Sequence, residues 1–253
     1  MSNISPIDGR YKKNVSELET FFSEQALMRH RVMVEVEYLL ALIEHRSFQK
    51  TRALSKKTLN SLKGLYVEFS ADHFKQIKKI EKKTNHDVNA VVVFVSEKLK
   101  KLGRGDLVPF VHFGLTSEDI NNISYSLMTQ GAVEDVMIPS VKRVLKELKA
   151  LSKKTKSLSL LSLTHGQPAT TTTLGKELAV FVSRVEREIA LIKKMKLLAK
   201  LSGATGSYAA HRVAFPDFNW PLFSKRFIKK LGLEQSPIST QIEPGDSLAE
   251  LLH

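Results

Sequence analysis

Four stretches of this chain concentrate side chains that could do chemistry. SPIDGRY (5–11) sets Arg10 and Tyr11 after a turn, and a guanidinium fork beside a phenol hydroxyl can hold a phosphate through charge-assisted bonds. As a plain N-terminal turn, the same arginine would meet solvent or a carboxylate. TNHD (84–87) places His86 between Asn85 and Asp87, where a neighbouring carboxylate can fix the imidazole tautomer and raise its basicity. The same residues also suit a helix start capped by Asn85 or Asp87. HFGLTSEDINN (112–122) offers the hydroxyls of Thr116 and Ser117 at a helix start, where free amides and the helix dipole attract anions, although capping alone would use one of them. LTHGQPATTTT (163–173) sets His165 against glycine, glutamine and proline, ahead of a run of threonines, between helical segments that the stretch itself does not match. An imidazole with an ordinary pKa of about 6.5 suits a proton carrier, and Gly166 would let backbone approach a ligand. A lone loop histidine is equally a structural residue. No second histidine lies at helical spacing from His86 and no HExxH occurs, so a metal site is not expected.

The elements that must position these groups read as helices. From Val15 to about His45 the apolar positions Leu18, Phe22, Leu27, Val34, Leu39 and Ile43 recur at three-to-four spacing without glycine or proline. A second helical stretch covers 56–83, with a break near Phe69-Ser70. VVVFV (91–95) suits a buried strand as well as a helix, and its polar flanks favour the helix. LGRGD (102–106) is a break. TSED at 116–119 matches a capping pattern leading into Ile120, Ile123 and Leu127. Pro139 opens a helix to about Lys156, SLSLLSL (157–163) looks extended, and a long helix spans about 174–200. A glycine- and aromatic-rich loop (203–221), a short helix (221–232) and the start of another at Asp246 complete the chain.

Composition bounds the function. With 42% hydrophobic and 26% charged residues in 253, this is an ordinary globular composition, enough for one large core or two smaller ones. The absence of cysteine excludes disulfides and thiolate metal sites. No apolar run approaches the roughly 20 residues that cross a bilayer, and the first residues lack the layout of a secretory signal, so a cytoplasmic protein without a membrane partner is expected. The net charge of +13 is carried largely by lysine pairs such as Lys78-Lys79 and Lys229-Lys230, on polar faces or near helix ends and without interleaved aromatics. That pattern reads as a solvated basic surface. A non-catalytic helical module binding nucleic acid is the alternative from a different class, resting on the charge alone.

SPIDGRY, TNHDVNA, HFGLTSEDINN, LTHGQPATTTTLGKE and STQIEPGDSLAE, in this order and spacing, resemble the adenylosuccinate lyases, most closely their bacterial-type branch, within the fumarase/aspartase superfamily. The likeness runs from Ser5 to about Glu250. It implies an all-α fold, with an N-terminal helical domain at 1–111 and the first part of a long-helix bundle domain at 112–253. It implies a homotetramer whose active sites draw on three subunits. The implied reaction is β-elimination of fumarate from adenylosuccinate, giving AMP, and from the succinyl-carboxamide ribotide of purine biosynthesis. No metal or organic cofactor and no nucleic-acid partner is implied. By the same resemblance His165 is the general acid that protonates the departing purine nitrogen. His86, with Asn85 and Asp87, would contact the substrate near its phosphate or leaving group. Arg10 and Tyr11 would bind the nucleotide, Thr116 and Ser117 would receive a carboxylate, and Gln241 would hold the substrate.

The sequence also departs from the family. The family's base is a serine in a loop close to GSSxMPxKxNP, and no such motif occurs here. GATGSYAAH (203–211) differs from the usual GAVGNYNAH. The chain stops soon after Asp246 opens a helical face, with no terminating glycine. A fragment covering about the first half of such an enzyme is therefore expected, with a truncated gene product or a second chain supplying the remainder as the alternatives; it is inactive alone, with apolar stripes at 120–150 and 174–200 left uncovered. Within the enzyme class, argininosuccinate lyase or fumarase is the alternative, against which SPIDGRY and TNHD argue.

Overall fold

The computed structural model describes residues 5–45 and 54–253. Two compact units form: Met1–Gln130 with Lys196–Leu252, and Gly131–Met195. The fold is all-α apart from a hairpin and a two-residue parallel pairing.

In the first unit the organising element is α1 (Glu24–Glu44), capped by Ser23, whose hydroxyl accepts from the Ala26 amide. Two 3-10 turns and a single helical turn, Glu19–Phe22, replace the continuous helix expected before residue 24. Helix α1 is apolar on two sides. Met28, Val32, Val36, Leu39, Leu40 and Ile43 pack into a core shared with α2 (Lys56–Val67), α3 (Ala71–Thr84) and α4 (Asp87–Lys101). Val34, Tyr38 and Leu42 enter a second core with Ile120 and Ile123 of α5 (Ser117–Ala132), the aromatic Trp220, and Phe227. With both sides buried, the helix is anchored independently of its intrinsic propensity. The break near residue 69 is Ser70, whose hydroxyl accepts from the His73 amide while His73 Nδ1 accepts from the Ser70 amide, a reciprocal cap. VVVFV lies in α4: Val91, Phe94 and Val95 are buried at helical spacing, and the polar flanks decide the ambiguity in favour of helix.

The second unit is a helix pair, α6 (Ile138–Lys154) and α7 (Leu174–Ile192), joined by a hairpin of β1 (Ser159–Thr164) and β2 (Gln167–Thr173). A π turn at Val133–Met137 precedes α6, and Met137 at its end is helical (φ −66°, ψ −55°), so Pro139 stands within continuous helical backbone and does not open the helix as expected. The expectation that the histidine stretch is irregular is corrected here. Its threonines are β-branched and strand-forming, and His165-Gly166 supplies a two-residue turn with φ of 51° and 73°, positive at both positions as a tight hairpin turn requires. Pro168 pairs opposite Leu163, next to a register shift that tolerates its missing donor. Thr173 then caps α7 by accepting from the Lys176 amide. A Cβ on Gly175 would collide with the backbone of Ser152 and Lys156, so glycine permits this close approach of α6 and the start of α7. Val144, Leu151, Val180, Phe181 and Leu191 of this unit are exposed, an apolar surface that the described residues leave uncovered.

Candidate functional site

Three polar residues interrupt the apolar surface of α1 at spacings of four and three, which places Arg31, Glu35 and Tyr38 on one face of the helix. Each ties down a different motif. Arg31, 3% exposed, donates from Nε to Asn121 Oδ1 at 2.9 Å and from Nη2 to Asp87 Oδ2 at 2.7 Å. TNHD and TSEDINN are thereby held by one guanidinium. Glu35, fully buried, pairs through Oε1 with His112 Nδ1 at 2.5 Å. Tyr38 donates to the Phe113 carbonyl at 2.8 Å and so must accept from His211 Nε2 at 3.2 Å. None of the three was singled out from sequence. The available signal was charge inside an apolar periodic stretch, because charged side chains tolerate burial only when paired.

At TNHD, Asn85 ends α3 in the left-handed conformation, with φ 51°, and His86 itself caps α4 by accepting the Asn89 amide on Nδ1. Neither Asn85 nor Asp87 is the N-cap. A neutral His86 ring therefore carries its proton on Nε2. Burial works against the Asp87 carboxylate, but the Val88 amide and Arg31 outweigh it and hold its carboxyl below the usual range. Asn85, His86 and Asp87 line an open groove of about 600 Å³ with Lys78, Glu81 and Lys82.

His112 stands with φ 57° just before TSED. Burial pulls its imidazolium down, yet the hydrogen bond and charge of Glu35 outweigh that, so the ring titrates above its ordinary value. At the helix start the Asp119 carboxylate accepts the Thr116 amide at 2.8 Å, the N3-to-N-cap half of a capping box. Thr116 and Ser117 are half-buried, and among the described residues their hydroxyls make no hydrogen bond with the chain. An anion arriving there meets free hydroxyls at the positive end of a dipole.

Asp119 does more than cap. It is fully buried, accepts the amides of Ser202 (3.0 Å) and Gly203 (3.1 Å), and pairs with the equally buried Lys200 at 2.9 Å. Lys200 in turn holds the Gln241 carbonyl at 2.6 Å, which places Gln241, itself exposed, on a segment anchored to the same helix start. Gly206 supports this arrangement. Its φ is +76° and a Cβ there would run into the Ser239 carbonyl. Gly206→Ala is expected to cost at least about 2 kcal/mol, from left-handed strain plus overpacking. A lower urea midpoint with unchanged slope is the expected readout, and an unmoved midpoint would refute the close approach.

The remaining candidates are Arg10, Tyr11 and His165. Arg10 and Tyr11 are exposed on the N-terminal turn, with the guanidinium 5.6 Å from the centre of the neighbouring Tyr11 ring. His165 belongs to the second unit, exposed at the hairpin tip, with no hydrogen bond from its ring to any described residue.

A family model described as lyase matches residues 9–253, and the chain belongs to that family. It is similar to adenylosuccinate lyase of Buchnera aphidicola subsp. Schizaphis graminum, at 42% identity over 254 residues, and to that of Escherichia coli K12, at 40% over 252. Each match takes in 99% of this chain and 55% of the relative, so the chain spans about half the length of the curated relatives it matches. The same enzyme of Dictyostelium discoideum is 42% identical over 259 residues, covering all of this chain and 56% of that protein. Among solved structures, fumarate lyase from Mesorhizobium sp. BNC1 superposes with a TM-score of 0.71 at 20% identity, over 93% of this chain and 52% of that one. The β-carboxy-cis,cis-muconate cycloisomerase of Acinetobacter calcoaceticus sp. ADP1 gives 0.67 at 19%, over the same shares. These two carry the fold alone.

Proposed function

We propose that this chain supplies part of an adenylosuccinate lyase, acting on adenylosuccinate and the succinyl-carboxamide ribotide by β-elimination of fumarate. The observation that carries the reading is identity of 40–42% to adenylosuccinate lyases across essentially the whole chain. Elimination removes a carbon-bound proton beside a carboxylate, building an aci-carboxylate dianion, and then expels the purine nitrogen, which must be protonated. Thr116 and Ser117 receive a succinyl carboxylate at the start of α5, where hydroxyls and dipole stabilise the growing charge. His112, paired with Glu35 and raised in basicity by that carboxylate, precedes them on the same segment as a further donor. Asn85, His86 and Asp87 contact the substrate at the groove they line, Arg10 and Tyr11 take the nucleotide, and Gln241 holds the substrate from its anchored segment. His165 gives its proton to the leaving nitrogen. In this reading active sites are shared among subunits of a homotetramer in the cytoplasm, and the exposed apolar residues of α6 and α7 face other copies. Removal of the carbon-bound proton falls to a group this chain does not carry, and the chain alone is inactive.

The test offers adenylosuccinate, the succinyl-carboxamide ribotide and argininosuccinate in turn to the intact protein that carries this sequence, following fumarate by its ultraviolet absorbance. Release from the two nucleotides alone is expected. Release from argininosuccinate alone would replace the proposal with the neighbouring activity.

A further inference from the structure

Lys200 is a fully buried ammonium with a matched set of acceptors. Its Nζ lies 2.9 Å from Asp119 Oδ1, 2.9 Å from the Gly203 carbonyl and 2.6 Å from the Gln241 carbonyl, with the Thr240 carbonyl more distant at 3.4 Å. Three close acceptors match the three N–H donors of an ammonium. Its backbone is clamped as well. Asn122 Oδ1 accepts the Lys200 amide at 2.8 Å, and Asn122 Nδ2 donates to the Lys200 carbonyl at 3.1 Å. Both ends of the side chain are therefore placed by α5.

The segment it grips has little else to define it. Residues 236–245 lie between the short strand Glu234–Gln235 and the helix Asp246–Leu252 without regular structure. Its apolar side chains point outward, with Ile238 87% and Ile242 55% exposed, so burial of hydrophobic surface does not fix it. Besides the lysine, the Ser239 hydroxyl meets Ser202 at 3.0 Å, the Ser239 carbonyl packs closely on Gly206, and the Ser236 amide donates to the Ala199 carbonyl at 2.8 Å at the start of the segment. A buried ion pair contributes little net stability against an apolar replacement, because desolvating two charges offsets their attraction. What this pair adds is direction: two carbonyls of one segment, a turn and a helix start all referenced to one nitrogen.

We propose that Lys200 is a positioning residue whose buried ammonium sets where the 239–241 segment, and with it Gln241, stands relative to the Thr116–Ser117 helix start. The proposal rests on the reading that these residues receive substrate.

Lys200→Met alone would strand the Asp119 charge in the interior, so the informative protein is the Lys200→Met, Asp119→Asn double variant. It removes both charges and, with the single amide oxygen at the Oδ2 position, keeps an acceptor for the Thr116 and Gly203 amides, whereas the Ser202 amide loses its own. Its thermal midpoint is expected to recover most of what Lys200→Met loses. Its Thr240 and Gln241 amides should nonetheless lose their rigidity in ¹⁵N relaxation, with heteronuclear NOE values well below those of α1, and in the intact protein that carries this sequence the KM for adenylosuccinate should rise at least tenfold while turnover changes less than threefold. A merely structural pair would restore loop order together with the midpoint. If the amides stay as rigid as those of α1, Lys200 does not position the segment, and the lyase reading is untouched. If the segment loosens and KM does not move, Gln241 makes no substrate contact, and both that assignment and the positioning role fall.

Discussion

His165→Ala is expected to lower turnover of the lyase reaction by two or more orders of magnitude while changing KM only a few-fold, the usual scale for losing a proton-transfer group. The structural reason lies in what the ring does not do. It sits exposed at the tip of the β1–β2 hairpin, bonded to no described residue, so removing it deletes no packing and no hydrogen bond within the unit. Its backbone is another matter. With φ 51° it occupies the left-handed region, which alanine adopts less readily than histidine or asparagine, and a distorted turn could mimic a chemical loss. His165→Asn separates the two. Asparagine suits the turn but cannot deliver a proton at neutral pH, so it should be as slow as the alanine variant. Activity returning with asparagine would assign the defect to the turn and remove His165 from the mechanism. Stopped assays of the intact protein that carries this sequence, with fumarate detection, give both constants.

Acid should unfold the first unit through a different histidine. His211 is 1% exposed, and its Nδ1 is buried without a hydrogen-bond partner among the described residues, while Nε2 is committed to Tyr38. Protonation would place a charged N–H where nothing accepts it, so burial lowers its pKa to about 4, with the Asp119 charge opposing only in part. In the unfolded chain the ring titrates near its ordinary value of about 6.5. Between these values the unfolded state binds more protons, so stability falls as pH drops from about 6.5 to about 4, by up to about 3 kcal/mol at the lower end. The His112 effect has the opposite sign. Its raised folded pKa contributes stability that is complete below about 6.5 and lost as pH rises through the folded value, so it does not account for acid lability. Urea midpoints of wild type and His211→Gln between pH 7 and 4.5 test this, glutamine keeping a donor for Tyr38 without titrating. The variant should lose most of the acid slope. Parallel curves would show that carboxylates alone set the acid limit.

Much of the fold was legible because its signals are local. The helix pattern of α1 to α5 follows from apolar spacing, the break at Ser70 from a cap, and the start of α5 from TSED. From sequence the histidine stretch reads as a loop, whereas its β-branched threonines pair with Ser159–Thr164 across a positive-φ turn, a signal that strand pairing alone makes stable. Thr116, Ser117, Asn85, His86 and Asp87 were recognisable as motif residues. Arg31, Glu35, Asp119 and Lys200 were not, since each resembles any surface charge until its partner is known. Lys200 in particular sits among many lysines, and nothing local distinguishes a buried ammonium from a solvated one.

By itself, then, the order of residues determined which segments coil, where they begin, and which motifs carry hydroxyls and imidazoles, because caps, periodicity and side-chain chemistry act over a few positions. Only the tertiary structure decided which charges are buried and against what: Arg31 joining Asp87 to Asn121, Glu35 facing His112, and Lys200 linking Asp119 to the Gln241 segment. The physical reason is that a buried charge is tolerated only through its partners, and those partners lie tens of residues away along the chain.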